Sequence, residues 1–564
     1  MKVVIIGGVA GGATAAARLR RLDESAQIII IERSGYISYA NCGLPYYISG
    51  VIAHREALTL QTPESFWERF RIDARVNQEA LSIDPGKKTV TIRKLEDGSL
   101  YEESYDDLIL SPGAKAIRPA LPGIDHPRIH TLRTVEDALF LREAAVSKGV
   151  QKAVIIGGGF IGLEMAENLV HAGIKTTLLQ RSGKVMPPLD GDMASQLHLY
   201  MRKKGIDLQL NAPVRGFSPA PDQVFIQLKD GRELPADLVI LSIGVQPDSH
   251  LAKEAGLALG EKGAIIVDEG MRTSQPHIYA VGDAVQIRHF VSGRPALVSL
   301  AGPANKQGRI AADQICGKHS VYTGAQGSSV LKMFDMTVAA TGLNETAAKA
   351  AGIPYDKVVT FSASHATYYP GAENMTVKTL FSTRTGQILG AQIIGFQGVD
   401  KRIDVLATGI RARMTGHDLT ELDLAYAPAY SSAKDPVNMA GFVIENLQQG
   451  LVRQFHWDQV SSLAQDPSVT LLDVRTPEEF AQGHIPGALH IPLDALRENL
   501  SILEQGKKIY VYCYSGLRSY IACRILTGFG FEVWNLSGGY RFYRFNSDQV
   551  SYDESPRFPC GLPL

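Results

Sequence analysis

Two cysteines of this chain stand in different settings. Cys42 lies in SYANCGLPYYISG (Ser38–Gly50), and the next cysteine along the chain is Cys316. No second thiol is close enough in sequence for a C-x-x-C dithiol, so a single sulfur must work alone or with a sulfur brought by its substrate. The thiolate is the nucleophile, so Cys42 is expected to ionise below the ordinary thiol value near ~8.5. Asn41 and Ser38 stand beside it to orient a sulfur or a substrate. The second, Cys513, opens CYSGLR near the far end of the chain. Cys523 in an apolar helix and Cys316 read as packing residues, and Cys560 has no assigned role.

The elements around Cys42 are those of a nucleotide-binding unit. KVVIIGG reads as a buried parallel strand, GGATAAARLRRL as an alanine-rich helix and QIIIIE as the second strand. A second unit of this kind runs from KAVIIGGGFIGLEMAENLVHAG to LLQ, residues 152–180. There Gly157, Gly159 and Gly162 fit G-x-G-x-x-G between strand and helix, where the glycines make the turn, admit a pyrophosphate and let helix meet strand. The first copy, GGVAGG, keeps Gly7 and Gly12 but has Val9 at the middle position. Glu32 at the end of its second strand is placed to hold a ribose hydroxyl, with a surface acid as the structural alternative. In the second copy that acid is replaced by Gln180, followed by Arg181, which suits a 2′-phosphate and leans towards NADPH or tolerance of both nicotinamides. Two dinucleotide sites in one chain imply an electron relay from a nicotinamide to a flavin.

The bulk composition agrees with soluble enzymatic machinery. At 564 residues the chain is expected to hold roughly three or four domains. A formal net charge of −1 gives no basic field for nucleic acid or an acidic membrane surface. Five cysteines are too few, and odd in number, for a secreted disulfide scaffold, so a reducing, cytoplasmic setting is expected. The start MKVVIIGG is not a signal peptide, and no apolar run reaches the ~20 residues of a membrane span.

The order of first fingerprint, redox cysteine, second fingerprint and TSQPHIYAVGDA resembles the FAD-dependent pyridine nucleotide-disulfide oxidoreductases. SYANCGLPYYISG is similar to their single-cysteine branch, and YYPGAE (368–373) with AYAPAYSSAKDPVN (425–438) to the coenzyme A disulfide reductases. LLDVRTPEEFAQGHIPGALHIP and CYSGLR resemble a rhodanese domain, so the whole is similar to fused coenzyme A disulfide reductase–rhodanese proteins. The fold this implies is α/β: two Rossmann-like dinucleotide-binding domains, an α+β dimerisation domain and a C-terminal α/β rhodanese domain. The expected bounds are 1–115 with 245–326 for FAD, 116–244 for NAD(P)H, 327–445 for dimerisation, 453–545 for rhodanese and 546–564 for an irregular tail.

The resemblance also implies roles. Asp283 in VGDA is expected on the flavin ribityl chain, and Phe160 and Glu164 near the nicotinamide. Further cofactor contacts are implied at Arg33, Ser38, Asn41, Pro112, Gly113, Gly244, Gly282 and Ala301. A helix N-terminus, an oxidised flavin ring and nearby hydroxyls are the means expected to lower the Cys42 pKa. Tyr368 and Tyr426 align with a tyrosine pair that meets the other subunit's cysteine in a homodimer, with Tyr369 and Tyr430 leaving the register open. Arg18, Arg21, Lys434, Thr14 and Asn305, with Ser38 and Asn41, are implied for coenzyme A, although the two arginines could equally face water. Cys513 is expected to carry a persulfide inside a nest of backbone N–H groups, with Arg518 supporting the loop or adding positive potential, and Asp473 and Arg475 tying its base. No metal, nucleic acid or membrane partner is expected.

The activity implied is FAD-dependent reduction of thiol persulfide, polysulfide or coenzyme A disulfide by NADH or NADPH, with Cys42 as single redox cysteine and Cys513 as sulfur carrier. Two rivals remain open at this point. One is an NADH peroxidase or oxidase cycling Cys42 through a sulfenic acid. The other is a sulfur carrier or redox sensor without real turnover.

Overall fold

The computed structural model describes residues 1–146, 149–547, 552 and 557–562, so the tail expected over 546–564 lies partly outside the described residues. The chain divides into two compact units, residues 1–185 with 205–327 and residues 186–204 with 328–564.

The first unit holds two five-stranded sheets. In one, Lys2–Ile6 lies between Gln27–Ile31 and Asp107–Leu110, flanked by Ile72–Arg75 and Ile278–Ala280. In the other, Lys152–Ile156 lies between Lys175–Leu179 and Leu238–Leu241, flanked by Asp207–Gln209 and Ile129–His130. The pairings are parallel, with Val4 opposite Ile29 and Val154 opposite Thr177. Strands covered on both faces are continuous apolar runs rather than alternating ones. Ile28, Ile29, Ile30 and Ile31 are accordingly all buried, each contributing about 1.5–3 kcal/mol of transfer free energy. An antiparallel ribbon, Ala114–Ala116 with Val245–Pro247, joins the halves of the unit at the two strand-turn segments that share a design in the sequence.

Helices Ala10–Leu22 and Ala301–Ile315 pack closely because both lack side chains where they touch. A Cβ on Gly308 would stand 2.3 Å from the Gly11 carbonyl oxygen.

In the second unit, Ser329–Met333, Met336–Gly342, Ile388–Gly395, Asn374–Ser382 and Tyr355–Ala363 form an antiparallel sheet in that order. A parallel sheet of Gln454–Phe455, Val533–Leu536, Lys508–Tyr512, Val469–Asp473 and Leu489–His490 follows. The backbone N–H of Val359 donates to Ser537 Oγ (3.2 Å) and Gln454 Nε2 to the Lys357 carbonyl (2.8 Å), linking the two sheets.

Residues 186–204, inside the 116–244 stretch of the sequence reading, group by their contacts with the second unit. Among these contacts Lys378 is fully buried, and its Nζ lies 3.0 Å from Asp190, 2.7 Å from Asp192 and 2.6 Å from Glu345. Burial works to raise the Glu345 carboxyl, but the Lys378 and Lys357 ammonium groups outweigh it and hold the group at about 2. Among the described residues this carboxylate trio is the one cluster close enough to ligate an ion, and a protein ammonium already sits in it.

Candidate redox and sulfur-carrier sites

The two glycine turns are built alike. A Cβ on Gly12 would lie 1.9 Å from the Gly7 carbonyl oxygen, and one on Gly162 2.0 Å from that of Gly157. Gly7 and Gly157 have φ of +98° and +110°, which glycine adopts without the Cβ penalty. The backbone N–H of Gly8 donates to Glu32 Oε2 (2.9 Å), and that of Gly158 to Gln180 Oε1 (3.0 Å). Acid and amide thus occupy the same place in the two copies. Val9 is compatible because this position, the helix N-cap, has φ −101°, and its counterpart Gly159 has φ −81°. A Cβ at Gly159 would meet no atom within 4 Å, so the chain leaves space in front of the second turn. These cradles fit dinucleotides, with a helix N-terminus behind each. Arg181 is exposed, and Arg33 is exposed with only long contacts to Glu79 and Asp248 (3.7 and 3.9 Å).

Of the other positions implied for cofactor, Gly113, Gly244 and Gly282 all have positive φ. Gly282 N–H donates to Gln307 Oε1 (2.7 Å), Gly113 accepts from the Asp248 N–H (3.0 Å) after Pro112, and Ala301 opens its helix exposed.

Cys42 is exposed, on the single turn Asn41–Gly43 that leads into helix Leu44–Ile48. Ser38 before it has φ +46°, held by its N–H to the Gly8 carbonyl (2.8 Å) and its carbonyl to the Leu60 N–H (3.1 Å). Arg142 lies over the Tyr47 ring at 4.2 Å and donates to the carbonyls of Tyr47 and Ile52. Ser49 Oγ donates to Asn168 Oδ1 (2.5 Å) and Asn168 Nδ2 to the Glu164 carbonyl (2.7 Å). The segment carrying Cys42 is thereby tied to the second fingerprint helix, Phe160–His171.

Three charges act on the thiol. Burial first, then the carboxylates of Glu164 and Asp283, push Cys42 above its ordinary pKa, while Arg133 opposes them. Among the groups of the polypeptide alone, burial and the two carboxylates outweigh Arg133 at Cys42. Arg133 cannot compensate fully, because its guanidinium pairs with Asp283 at 3.0 Å. Glu164 is itself pushed up to about 7 by burial and by Glu167. The structure thus brings together Cys42, Glu164 and Asp283, all singled out in sequence, and adds Arg133, Arg142 and Asn168, which no motif marks.

The candidate coenzyme A residues separate into two settings. Thr14 Oγ1 donates to Asn305 Oδ1 (3.0 Å), and Arg18 Nε pairs with Asp313 (2.7 Å), so these three brace the two packed helices; Arg21 is exposed. In the second unit Lys434 is exposed, and the hydroxyls of Tyr368 and Tyr426 lie 2.7 Å apart on exposed side chains. The Tyr426 hydrogen bond pushes the Tyr368 pKa up. Buried Arg402 ties their loops, donating to Asp435 (3.0 Å), Ser431 Oγ (3.1 Å) and the Ser364 carbonyl (2.9 Å).

Cys513 is fully buried at the head of its loop. Its sulfur accepts from the Gly516 N–H (3.1 Å) and faces the Ser519 hydroxyl (3.3 Å). Gly516, at φ +100°, caps helix Leu517–Gly528. Arg518 donates two 2.7 Å bonds to Glu479; burial works to lower its pKa, but these bonds and the nearby Cys513 and Glu479 charges raise it. Asp473 and Arg475, 0% and 2% exposed, form a bidentate pair that stacks under Tyr540 (4.0 Å). Cys523 packs beneath, pushed up by burial.

A lone thiol beside two dinucleotide cradles, with a separate buried cysteine in an N–H-lined loop, defines a redox enzyme with an appended sulfur-handling domain. Residues 1–307 match the Pyridine nucleotide-disulphide oxidoreductase family, 328–436 its dimerisation domain and 456–544 a Rhodanese-like domain. The chain belongs to the pyridine nucleotide-disulphide oxidoreductases and is an oxidoreductase of the flavoprotein type.

Among its relatives is the coenzyme A disulfide reductase of Staphylococcus aureus strain JH9, 36% identical over 442 residues, covering 78% of this chain and 99% of the relative. The reduced Bacillus anthracis CoADR-RHD has 47% identity and TM-score 0.95, over 96% of this chain and 98% of that one. An NAD-dependent persulfide reductase from A. fulgidus has 38% identity and TM-score 0.90, over 96% of this chain and all of that one. No helix among the described residues is long and apolar enough to cross a membrane.

Proposed function

We propose that this protein is an FAD-dependent NAD(P)H reductase of persulfides, polysulfide or coenzyme A disulfide, in which Cys42 is the only redox cysteine and Cys513 a sulfur carrier. The observation that carries the reading is the lone exposed thiol tied, through Ser49, Asn168 and Glu164, to a second dinucleotide cradle. The names of the relatives support the substrate class. FAD sits at the cradle of Gly7, Gly12 and Glu32 with Asp283, and NAD(P)H at that of Gly157, Gly162 and Gln180. A bound flavin supplies two-electron transfer between the nicotinamide and sulfur.

The chain's own groups do the rest. Cys42 attacks a sulfur of the S–S bond; that bond breaks, a mixed disulfide on Cys42 forms, and hydrosulfide or thiolate departs. Tyr368 or Tyr426 gives the departing sulfur its proton, in a homodimer where the pair of one subunit serves the Cys42 of the other. Two electrons from NAD(P)H then restore the Cys42 thiol and release the second thiol. Arg21 and Lys434, exposed cations, take the phosphates of coenzyme A, and Arg18 joins them only by leaving Asp313. Glu164, near neutrality in its pKa, moves a proton beside Cys42.

The test is anaerobic. The protein with its flavin is given each nicotinamide and, separately, coenzyme A persulfide, coenzyme A disulfide, polysulfide or peroxide, and hydrosulfide is measured per cofactor oxidised. One hydrosulfide per NAD(P)H on persulfide, lost in Cys42→Ser with flavin retained, is the expected result. Faster turnover on peroxide or oxygen would replace this reading with the oxidase one.

A further inference from the structure

The carrier cysteine is sealed from solvent, and the piece of chain lying against its loop carries a thiol of its own. Arg557 stacks over the Tyr514 ring at 4.9 Å. A Cβ on Gly561 would stand 2.4 Å from Tyr514 Cβ, and Gly561 has φ +97°, so only glycine allows this approach. The segment holds its own shape: Phe558 N–H donates to the Leu562 carbonyl and Gly561 N–H to the Phe558 carbonyl, both at 2.8 Å. Asn374 Nδ2 anchors it by donating to the Arg557 carbonyl (2.7 Å). Tyr514 directly follows Cys513, and Gly561 directly follows Cys560. The Tyr514 side chain thus meets the segment at Gly561, and each cysteine stands one residue along the chain from that contact.

One polar group of the loop is left for a ligand. Ser515 is 7% exposed, and among the described residues its Oγ has no hydrogen-bond partner.

We propose that Cys560 is the acceptor that takes sulfane sulfur from Cys513 and carries it out of the buried loop. The step rests on the reading of Cys513 as persulfide carrier. The Cys560 thiolate attacks the outer sulfur of the Cys513 persulfide. The bond between that sulfur and Cys513 Sγ breaks, and its electron pair stays on Cys513 as a thiolate held by the Gly516 N–H. Cys560 now bears the S–SH group. One sulfane sulfur and one negative charge change places, and no oxidant or reductant is consumed.

The full chain with its flavin is treated anaerobically with inorganic polysulfide, quenched with iodoacetamide and mapped by peptide mass spectrometry. The wild type is expected to carry the extra sulfur on Cys560, and Cys513→Ser to lose at least tenfold of that label. Gly561→Val, which pushes the segment off Tyr514, is expected to lower Cys560 labelling several-fold and leave Cys513 labelled. Cys560→Ser is expected to keep the label on Cys513; failure of that label would sink the carrier reading itself. Equal Cys560 labelling with and without Cys513, or a Cys513–Cys560 disulfide formed with release of hydrosulfide, would overturn the transfer.

Discussion

Replacing Glu164 by Gln tests the electrostatics of the redox site most directly. The Glu164 carboxyl is pushed up from 4.5 to about 7. A rise of about 2.5 units corresponds to roughly 3 kcal/mol in favour of the neutral form. The group is thus about nine-tenths protonated at pH 6 and about nine-tenths ionised at pH 8. Its charge is, after burial, the largest contribution holding Cys42 above an ordinary thiol. In the wild type the thiol therefore becomes harder to ionise as pH rises through 7, and its ionisation is stretched over a wider range. Cys42 is exposed, so solvent screens part of the effect of one neighbouring charge and leaves a change of a few-fold in thiolate.

The assay is the rate of Cys42 alkylation by iodoacetamide from pH 6 to 9, with Cys42→Ser subtracted to remove the other cysteines. Glu164→Gln should react a few-fold faster at pH 8 and nearly equally at pH 6. The same variant should unfold less readily at pH 8. A carboxyl whose folded pKa lies above its unfolded value costs stability progressively as pH rises from 4.5 towards 7. Parallel alkylation profiles, or a gain at pH 6 as large as at pH 8, would refute the reasoning.

Lys378→Met takes the shared ammonium from buried Asp190 and Asp192 and from half-buried Glu345, which keeps Lys357, and should cost about 3–5 kcal/mol by urea unfolding. Its pH dependence should reverse: wild-type Glu345, held at about 2, gives stability that is complete above 4.5 and lost as pH falls towards 2. The variant should instead gain stability between pH 7 and pH 5, where its unpaired carboxyls take up protons. Gly162→Val drives a side chain into the Gly157 carbonyl; NAD(P)H should then fail to bleach the flavin while dithionite still does. Arg518→Leu strands a buried carboxylate on Glu479 and should destabilise by about 3–5 kcal/mol, most of it regained when Glu479 is also made Met.

What the sequence exposes is what short-range geometry dictates. The glycine turns are legible because a carbonyl oxygen sits 1.9–2.0 Å from where a Cβ would stand, so residue type and spacing are forced together. Glu32 and Gln180 are legible for the same reason, each lying one step past a strand end and bonded to a turn N–H. Arg133 is not legible: its partner Asp283 lies 150 residues away, and a single arginine before a helix has no pattern. Glu479 pairs with Arg518 across 39 residues, again without a motif. The segment 186–204 reads as a continuation of the domain before it, and the links of Asp192 to Lys378, Asp190 to Gln392, Gln196 to Thr376 and Lys204 to Asp335 that hold it in the other unit carry no motif. The carboxylates that act on Cys42 are not legible as its neighbours, because Glu164 arrives from 122 residues further on and Asp283 from 241.

The sign of the shift at Cys42 separates the two sulfurs chemically. Around Cys513 the chain offers donors, an N–H and a hydroxyl at the sulfur, so an anion on that atom is met by hydrogen bonds from the chain itself. Around Cys42 it offers two carboxylates and one guanidinium already paired to Asp283. A nucleophile so placed ionises readily only when something other than the polypeptide stabilises its charge, which makes its reactivity conditional. A standing anion site suits a carrier that must hold sulfur between encounters. A conditional one suits a reductase, because a thiol that stays protonated until it is needed resists oxidation and adventitious alkylation. The carboxylates around Cys42 therefore act as a restraint on the thiol, and Glu164, titrating near pH 7, is the part of that restraint that a proton can lift.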